Sequence, residues 1–164
     1  MHPIEEKLGP ISPFLQRIFT NLEKDHLDVS NFELDHICYR VETLPIYLSL
    51  KKMLSQQGPI LSEEEVGGRL ISTFKLNKPI IYQRRQINCI ELPSPKQGSF
   101  YEQGYEHVEF VINENFNQFM KRYPSVNFST RAISKEINPD ISITYNGISV
   151  KFHHDTLEQV IKNK

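Results

Sequence analysis

Two stretches of alternating apolar and polar residues, 34–41 and 104–112, each carry a histidine near the centre. This alternation is typical of half-buried strands, in which every second side chain shares a face. The first stretch would place three polar side chains on one face, those of His36, Cys38 and Arg40. The second would place another three together, those of Tyr105, His107 and Glu109. Two such strands indicate a duplicated unit, and imidazole beside carboxylate can bind a metal ion or transfer a proton.

Two further predicted strands, 86–92 and 148–153, carry polar side chains of the same kind on one face. These side chains are Cys89 and Glu91 on the earlier strand and Lys151 and His153 on the later one. The opposite faces of all four strands are apolar and suit packing against helices. The polar faces do not suit a dry core, because each buried polar group without a partner costs about 1–3 kcal/mol. They predict the lining of a wet cavity or ligand site.

Within that lining, His36, Glu91 and His107 form a set of two histidines and one carboxylate. Such a set suits zinc, iron(II), manganese, nickel or cobalt, and three protein ligands leave positions open for water or substrate. The three residues lie too far apart in the chain to form a local metal motif. Judged from the strand faces alone, a simpler interpretation is favoured, in which each histidine is a hydrogen-bonded strand residue and Glu91 is exposed.

The composition is that of an ordinary soluble globular protein. A chain of 164 residues, 38% hydrophobic and 24% charged, is long enough for one well-formed core or two closely packed halves. Its net charge of -1 gives no general attraction to nucleic acid or to an anionic membrane, and no apolar run approaches the length of a membrane span. The start of the chain lacks the order of a secretory signal, and two cysteines make no disulfide framework. We therefore expect a cytoplasmic protein.

The first part of the chain predicts a helical extension followed by one β-α-β-β-β module. Residues 1–31 form the extension, in which Ser12 can cap a helix of about 13–26. The module spans 32–97 and contains the first histidine strand, a helix at 43–57 and three strands.

The second part of the chain repeats that order. This module spans 98–164 and contains the second histidine strand, a helix at 114–121, a strand at 126–133 and a hairpin that turns at Asn146-Gly147. We expect a single α+β domain over 1–164, in which two tandem β-α-β-β-β modules form a curved, cup-like mixed sheet with an extra N-terminal helix.

The repeated order, with a histidine strand opening each module and an I-E-L strand closing the first, resembles the vicinal oxygen chelate superfamily. Glyoxalase I, extradiol dioxygenases and fosfomycin-resistance proteins belong to that superfamily. The small YecM-like family within it is similar in four features: an N-terminal helical arm and the segments L-D-H-I-C-Y-R-V, E-L-P-S-P-K and V-K-F-H-H. This resemblance covers residues 10–164, and it implies a metal bound in the cup of an eight-stranded curved sheet.

The resemblance also implies which residues bind the metal. The superfamily's first three ligand positions match His36, Glu91 and His107. The superfamily often has a glutamate at the fourth position, where this chain has Lys151, and a charged ammonium group cannot be a ligand. His153 shares the face of Lys151 and is the better candidate for a fourth or substrate-facing contact.

Two function hypotheses follow. In the first, a divalent transition metal (zinc, iron(II), manganese or nickel) polarises the oxygens of a small substrate, and an isomerase, lyase or dioxygenase-like enzyme would use Glu109 or His153 for proton transfer. In the alternative, a metal-free module binds a small anion through Arg40, Lys151 and His153. Under both hypotheses the partner is a small molecule and the protein is a monomer or homodimer. A third possibility is that the fold serves protein association alone.

Overall fold

One unclosed, curved sheet of seven strands carries both modules in a computed structural model that describes residues 1–164. In chain order the elements are α1 (Glu5–Leu8), α2 (Ser12–Lys24), β1 (Glu33–Arg40), α3 (Leu44–Ser55), β2 (Ile60–Val66), β3 (Arg69–Tyr82), β4 (Arg85–Pro93), β5 (Gly104–Val111), α4 (Phe116–Lys121), β6 (Ile141–Tyr145), β7 (Ile148–His153) and α5 (Leu157–Lys162). The α+β class and the extra N-terminal helix expected from the sequence are confirmed.

The strand order β2-β3-β4-β1-β5-β7-β6 brings the four polar-faced strands side by side. At the centre of the sheet β1 pairs with β5 in antiparallel orientation. Each of these opening strands also pairs in parallel with the closing strand of its own module, β1 with β4 and β5 with β7. Side chains on one face of β4, β1, β5 and β7 can therefore meet.

The second module lacks the strand predicted at 126–133, so the sheet has seven strands and not the eight that the resemblance implied. Only Ser129 pairs with Ser142, as an isolated bridge. The segment instead forms turns, because the backbone N–H groups of Val126, Phe128 and Ile133 donate to carbonyls two or three residues earlier. Their side chains pack against the core from these turns. The apolar side chains of this segment are partly buried, as those of a strand would be. The backbone N–H groups that a strand would use for pairing instead form local hydrogen bonds.

Two β-bulges interrupt the pairing of β1 with β5. The register shows one extra residue on β1 at Asp35 and one extra residue on β5 at Glu106. The second bulge turns Tyr105 toward the core, where its ring lies 5.1 Å from that of Tyr39 and 5.4 Å from that of Phe14. The prediction that Tyr105 shares the polar face is therefore wrong.

The apolar faces of the central strands pack against helices, as the sequence predicts. Phe19 of α2 contacts Phe110 of β5, and Phe119 of α4 contacts Phe152 of β7. The first ten residues contain α1, and Leu8 of that helix is buried in the core. None of the helices has both the length and the apolar character that crossing a membrane requires.

Arg85 holds the start of β4 against the chain that leads into β1. Its guanidinium donates hydrogen bonds of 2.6 Å to the backbone oxygens of Val29 and Phe32. It also lies over the rings of Phe19 and Phe110, at 5.3 and 5.4 Å from the centroids. This side chain thereby helps to fix the two strands that carry Glu91 and His36.

Replacing Arg85 with Met should lower the free energy of unfolding by about 2–3 kcal/mol, because two charge-assisted hydrogen bonds are lost and two carbonyls are left without a donor. Urea denaturation would measure the change. The neighbouring Arg84 is exposed, so Arg84→Met is the matched control and should change stability by no more than about 0.5 kcal/mol. Equal effects of the two substitutions would contradict the role given to Arg85.

Candidate metal centre

The strand register gathers the predicted site residues on one face of the sheet. His36 on β1 lies opposite Glu109 on β5. Cys38, two residues further along β1, lies opposite His107 on β5 and beside Glu91 on β4. Four of the five residues are buried, and Glu91 is the partly exposed one, at 15%. The sheet thus places imidazole, thiol and carboxylate groups from both modules in one cluster.

The three ligands expected from the sequence are close enough to share one ion. The His36 Nε2 and Glu91 Oε2 atoms are 4.0 Å apart, and the His107 Nε2 and Glu91 Oε1 atoms are 3.9 Å apart. One ligand atom from each of the three residues lies within 4.8 Å of the other two. Tetrahedral metal–ligand bonds of about 2.0–2.2 Å place ligand atoms roughly 3.3–3.5 Å from one another. Small side-chain rotations would close the difference.

The Nε2 atoms of His36 and His107 are both buried, and neither has a hydrogen-bond partner. The Glu109 Oε2 atom is 2.5 Å from His36 Nε2 and 3.5 Å from His107 Nε2, but no hydrogen bond joins it to either nitrogen. Buried polar atoms without partners are rare, because each one costs free energy. Two such atoms on either side of one carboxylate are what a metal ion would satisfy.

The other ring nitrogen of each histidine contacts the acidic residue that precedes it. His36 Nδ1 lies 2.8 Å from Asp35 Oδ2, and His107 Nδ1 contacts Glu106 Oε2. Asp35 and Glu106 are the extra residues of the two bulges, which is why they reach the polar side of the sheet. Carboxylates in this position orient metal-binding histidines and leave Nε2 for the metal. Sequence reasoning missed both, although an acidic residue before the histidine at the same place in each module was the available signal.

In the cluster the histidines favour the charged form of the carboxylates, and the carboxylates favour the charged form of the histidines. Burial alone would lower the pKa of His36, but the carboxylates of Glu109 and Asp35 raise it well above its usual value. Burial would raise the pKa of Glu109, but His36 and His107 hold it well below its usual value. For Glu106 the contact with His107 outweighs burial, and its pKa falls to about 2. The cluster therefore balances its buried charge internally.

Burial raises the pKa of the Cys38 and Cys89 thiols, that of Cys89 to about 12. Both cysteines are buried and neither forms a disulfide. Cys38 lies near His107 and Glu106, and these three residues form a second possible metal-binding group. Thiolate, and not thiol, is the metal-binding form of cysteine. Glu91 can complete a set with both histidines, whereas the group that contains Cys38 includes only His107.

A cavity of about 620 Å³ opens on the polar face. Its wall includes Glu91, His107 and Glu109, whereas His36 lies behind them and is fully buried. Three apolar side chains of α5 also line the cavity: Leu157, Val160 and Ile161. The helix is tied to the site, because the backbone N–H of Leu157 donates to Asp35 Oδ2 at 2.8 Å. The oxygen that contacts His36 Nδ1 thus also accepts from α5.

The cationic candidates, Arg40 and Lys151, also line this cavity. The Arg40 Nε atom is buried without a hydrogen-bond partner, 3.6 Å from Glu106 Oε2, and the guanidinium lies over the Tyr101 ring. Burial would lower the pKa of Lys151, but nearby carboxylates, Glu109 foremost, raise it, so the side chain stays charged.

The third sequence candidate, His153, does not line the cavity. It is fully buried, its Nδ1 lies 2.7 Å from Asn138 Oδ1, and its Nε2 lies 3.7 Å from Asp35 Oδ2. Burial lowers the pKa of His153. The structure therefore places Glu109, and not His153, where a molecule in the cavity could reach it.

Comparison with solved structures identifies the class of fold. The structural genomics protein EC4020 superposes with a TM-score of 0.77 at 23% identity, over 100% of this chain and 97% of that one. A variant of methylmalonyl-CoA epimerase from Streptomyces coelicolor, in complex with 2-nitronate-propionyl-CoA, superposes with a TM-score of 0.54 at 12% identity, over 75% of this chain and 96% of that one. The chain therefore shares the fold of these proteins, which is consistent with the vicinal oxygen chelate fold that the sequence resemblance implied.

Sequence comparison identifies the family to which the chain belongs. The family model described as YecM protein matches residues 4–164, and the chain belongs to the YecM family. An uncharacterised protein of Haemophilus influenzae is 32% identical over 130 residues, which are 74% of this chain and 68% of that protein. The predicted family is confirmed.

Replacing Glu109 with Ala should lower the free energy of unfolding by about 3–5 kcal/mol, because it removes one partner of a buried charge pair and leaves His36 without its counter-charge. Glu65→Ala is the matched control, since Glu65 lines the same cavity but is exposed. It should change stability by no more than about 0.5 kcal/mol. Chemical denaturation would compare the two variants, and a stable Glu109→Ala protein would rule out the pairing with His36.

Proposed function

We propose that the protein binds one divalent transition-metal ion through His36, Glu91 and His107 and holds a small oxygen-bearing molecule in the adjoining cavity. One observation carries the proposal. Two buried Nε2 atoms without hydrogen-bond partners lie 4.0 and 3.9 Å from oxygens of the Glu91 carboxylate, and each ring is oriented through its other nitrogen by an acidic residue. Chemically, this is the arrangement of histidine ligands supported by carboxylates.

The donor set suits zinc, iron(II), manganese or nickel, and three protein ligands leave positions for a small molecule. An ion held there would act as a Lewis acid toward an oxygen of that molecule. Glu109 is the better-placed residue for proton transfer, because it lines the cavity beside both histidines and His153 does not. We propose an isomerase, lyase or dioxygenase-like reaction. We also propose that residues 1–164 act as a single domain, because both modules supply ligands.

Elemental analysis of the purified, tag-free protein after incubation with zinc, iron(II), manganese or nickel tests the site. We expect close to one equivalent of metal in the wild-type protein and almost none in Glu91→Gln, because the amide no longer supplies an anionic oxygen. Glu65→Gln is the control. It makes the same chemical change on the same cavity wall and should keep the metal. Equal metal contents in both variants would remove Glu91 as a ligand.

Replacing Asp35 with Asn should weaken metal binding by about 10–100-fold while saturating metal still fills the site, because Asp35 orients His36 without binding the metal itself. Competition against a chromophoric chelator would measure the affinity. The exposed Asp155 offers a matched control, and Asp155→Asn should leave the affinity unchanged. An unchanged affinity in Asp35→Asn would show that the carboxylate does not position the ring.

A metal-free anion-binding module is the second candidate, and Arg40 and Lys151 on the cavity wall favour it. Melting temperatures separate the two functions, because a ligand that binds only the folded state raises the melting temperature. Stabilisation by a transition metal supports the metal centre. Stabilisation by phosphate or a carboxylate without metal supports the anion module.

A further inference from the structure

We infer that the small molecule held at this site is a short organic diacid, with one acid group bound by Lys151 and its remaining oxygens facing the metal ligands. This inference rests on the proposed metal site and names the substrate class of the same cavity. It follows from the position of one lysine, the contacts of the other cavity cations and the shape of the wall.

Lys151 projects from β7 onto the polar face, where it is the register partner of Glu109. It is half-buried and lines the cavity. Its ammonium group makes no hydrogen bond and has no carboxylate oxygen within 4.0 Å, whereas Glu91 and Glu109 make their close contacts with histidines. A charged group that is partly desolvated and lacks a close partner favours a ligand that supplies one.

Each of the other cationic side chains of the cavity has a carboxylate or an aromatic ring beside it. Lys135 pairs with Asp140 at 3.5 Å, and Lys164 pairs with Glu64. Arg40 lies 3.6 Å from Glu106 and over the ring of Tyr101, and Arg69 lies over that same ring. Lys151 is therefore the cavity cation that has neither a carboxylate within 4.0 Å nor an aromatic ring beside it.

The nearby carboxylates set the charge that a ligand meets at this cation. Glu91 and Glu109 lie near the lysine and by themselves would repel an anion. A divalent ion would take the place of the histidine protons, because metal-binding histidines are neutral. The ion would then be the counter-charge of these carboxylates, and Lys151 would be left to meet the distal acid group.

The remaining wall suits a short carbon chain. The cavity lining includes three apolar side chains of α5: Leu157, Val160 and Ile161. A cavity of about 620 Å³ has room for a small molecule that spans from the metal ligands to Lys151. A 2-oxo or 2-hydroxy acid with a second acid group has the required order of groups: two neighbouring oxygens, a few carbons and a distal anion.

Calorimetric titration of the metal-loaded protein with 2-oxoglutarate and 2-oxovalerate tests the inference. The two probes share a five-carbon 2-oxo acid, and only 2-oxoglutarate has a second carboxylate. We expect 2-oxoglutarate to bind the wild-type protein about 10–100-fold more tightly, because only it can form a charge-assisted hydrogen bond with Lys151. Lys151→Met should remove this preference and leave 2-oxovalerate binding and metal content unchanged.

Lys135→Met is the matched control, because Lys135 lines the same cavity but already pairs with Asp140. It should keep the preference for the diacid. Where Lys151→Met fails to fold, as judged by its melting temperature, Lys151→Gln gives the same comparison. A wild-type protein that binds both probes equally, or a Lys151 variant that keeps the preference, would overturn the inference.

Metal content measured on the same samples separates the two proposals. A loaded protein without a preference for the diacid retains the metal centre and refutes the role of Lys151. A protein that takes up no metal, but binds 2-oxoglutarate in a Lys151-dependent manner, supports anion recognition by Lys151 and refutes the metal centre.

Discussion

The antiparallel pairing of β1 with β5 is the interaction on which the whole site depends. It joins the two modules, and its register places His36 opposite Glu109 and Cys38 opposite His107. The parallel partners β4 and β7 then add Glu91 and Lys151 to the same face. A shift of this pairing by one residue would put the site residues of one module on the opposite face from those of the other, because side chains of a strand alternate. The register is fixed by the apolar residues that point the other way, into the core.

The strands and the predicted ligands could be read from the sequence because both follow a period of two. Alternation placed His36, Glu91 and His107 on one face, and the order of elements placed their strands in one sheet. The bulges could not be read in this way, since one inserted residue breaks the period. Tyr105 was assigned to the wrong face for that reason, and Asp35 and Glu106 were overlooked. The missing strand at 126–133 has a different cause, because apolar spacing does not reveal where backbone donors find their acceptors.

The bulges also explain how adjacent residues can act on one ring. In a regular strand, Asp35 and His36 would point to opposite faces, and a contact between their side chains would be unavailable. The extra residue in the pairing brings the carboxylate to the same side as the imidazole. The second module achieves the same result on the other central strand with Glu106 and His107. Two local irregularities thus give the duplicated fold its paired histidine environments.

The hydrogen bond from the Leu157 backbone N–H to Asp35 links an amide proton of the last helix to the His36 ring. The same Oδ2 atom accepts the backbone N–H of Leu157 and contacts the His36 ring, each at 2.8 Å. Any event that draws electron density from that carboxylate, or rotates the ring, must alter the magnetic environment of the Leu157 amide proton. One backbone resonance, on a helix whose neighbouring side chains are not buried, therefore reports from the surface on a histidine that solvent cannot reach.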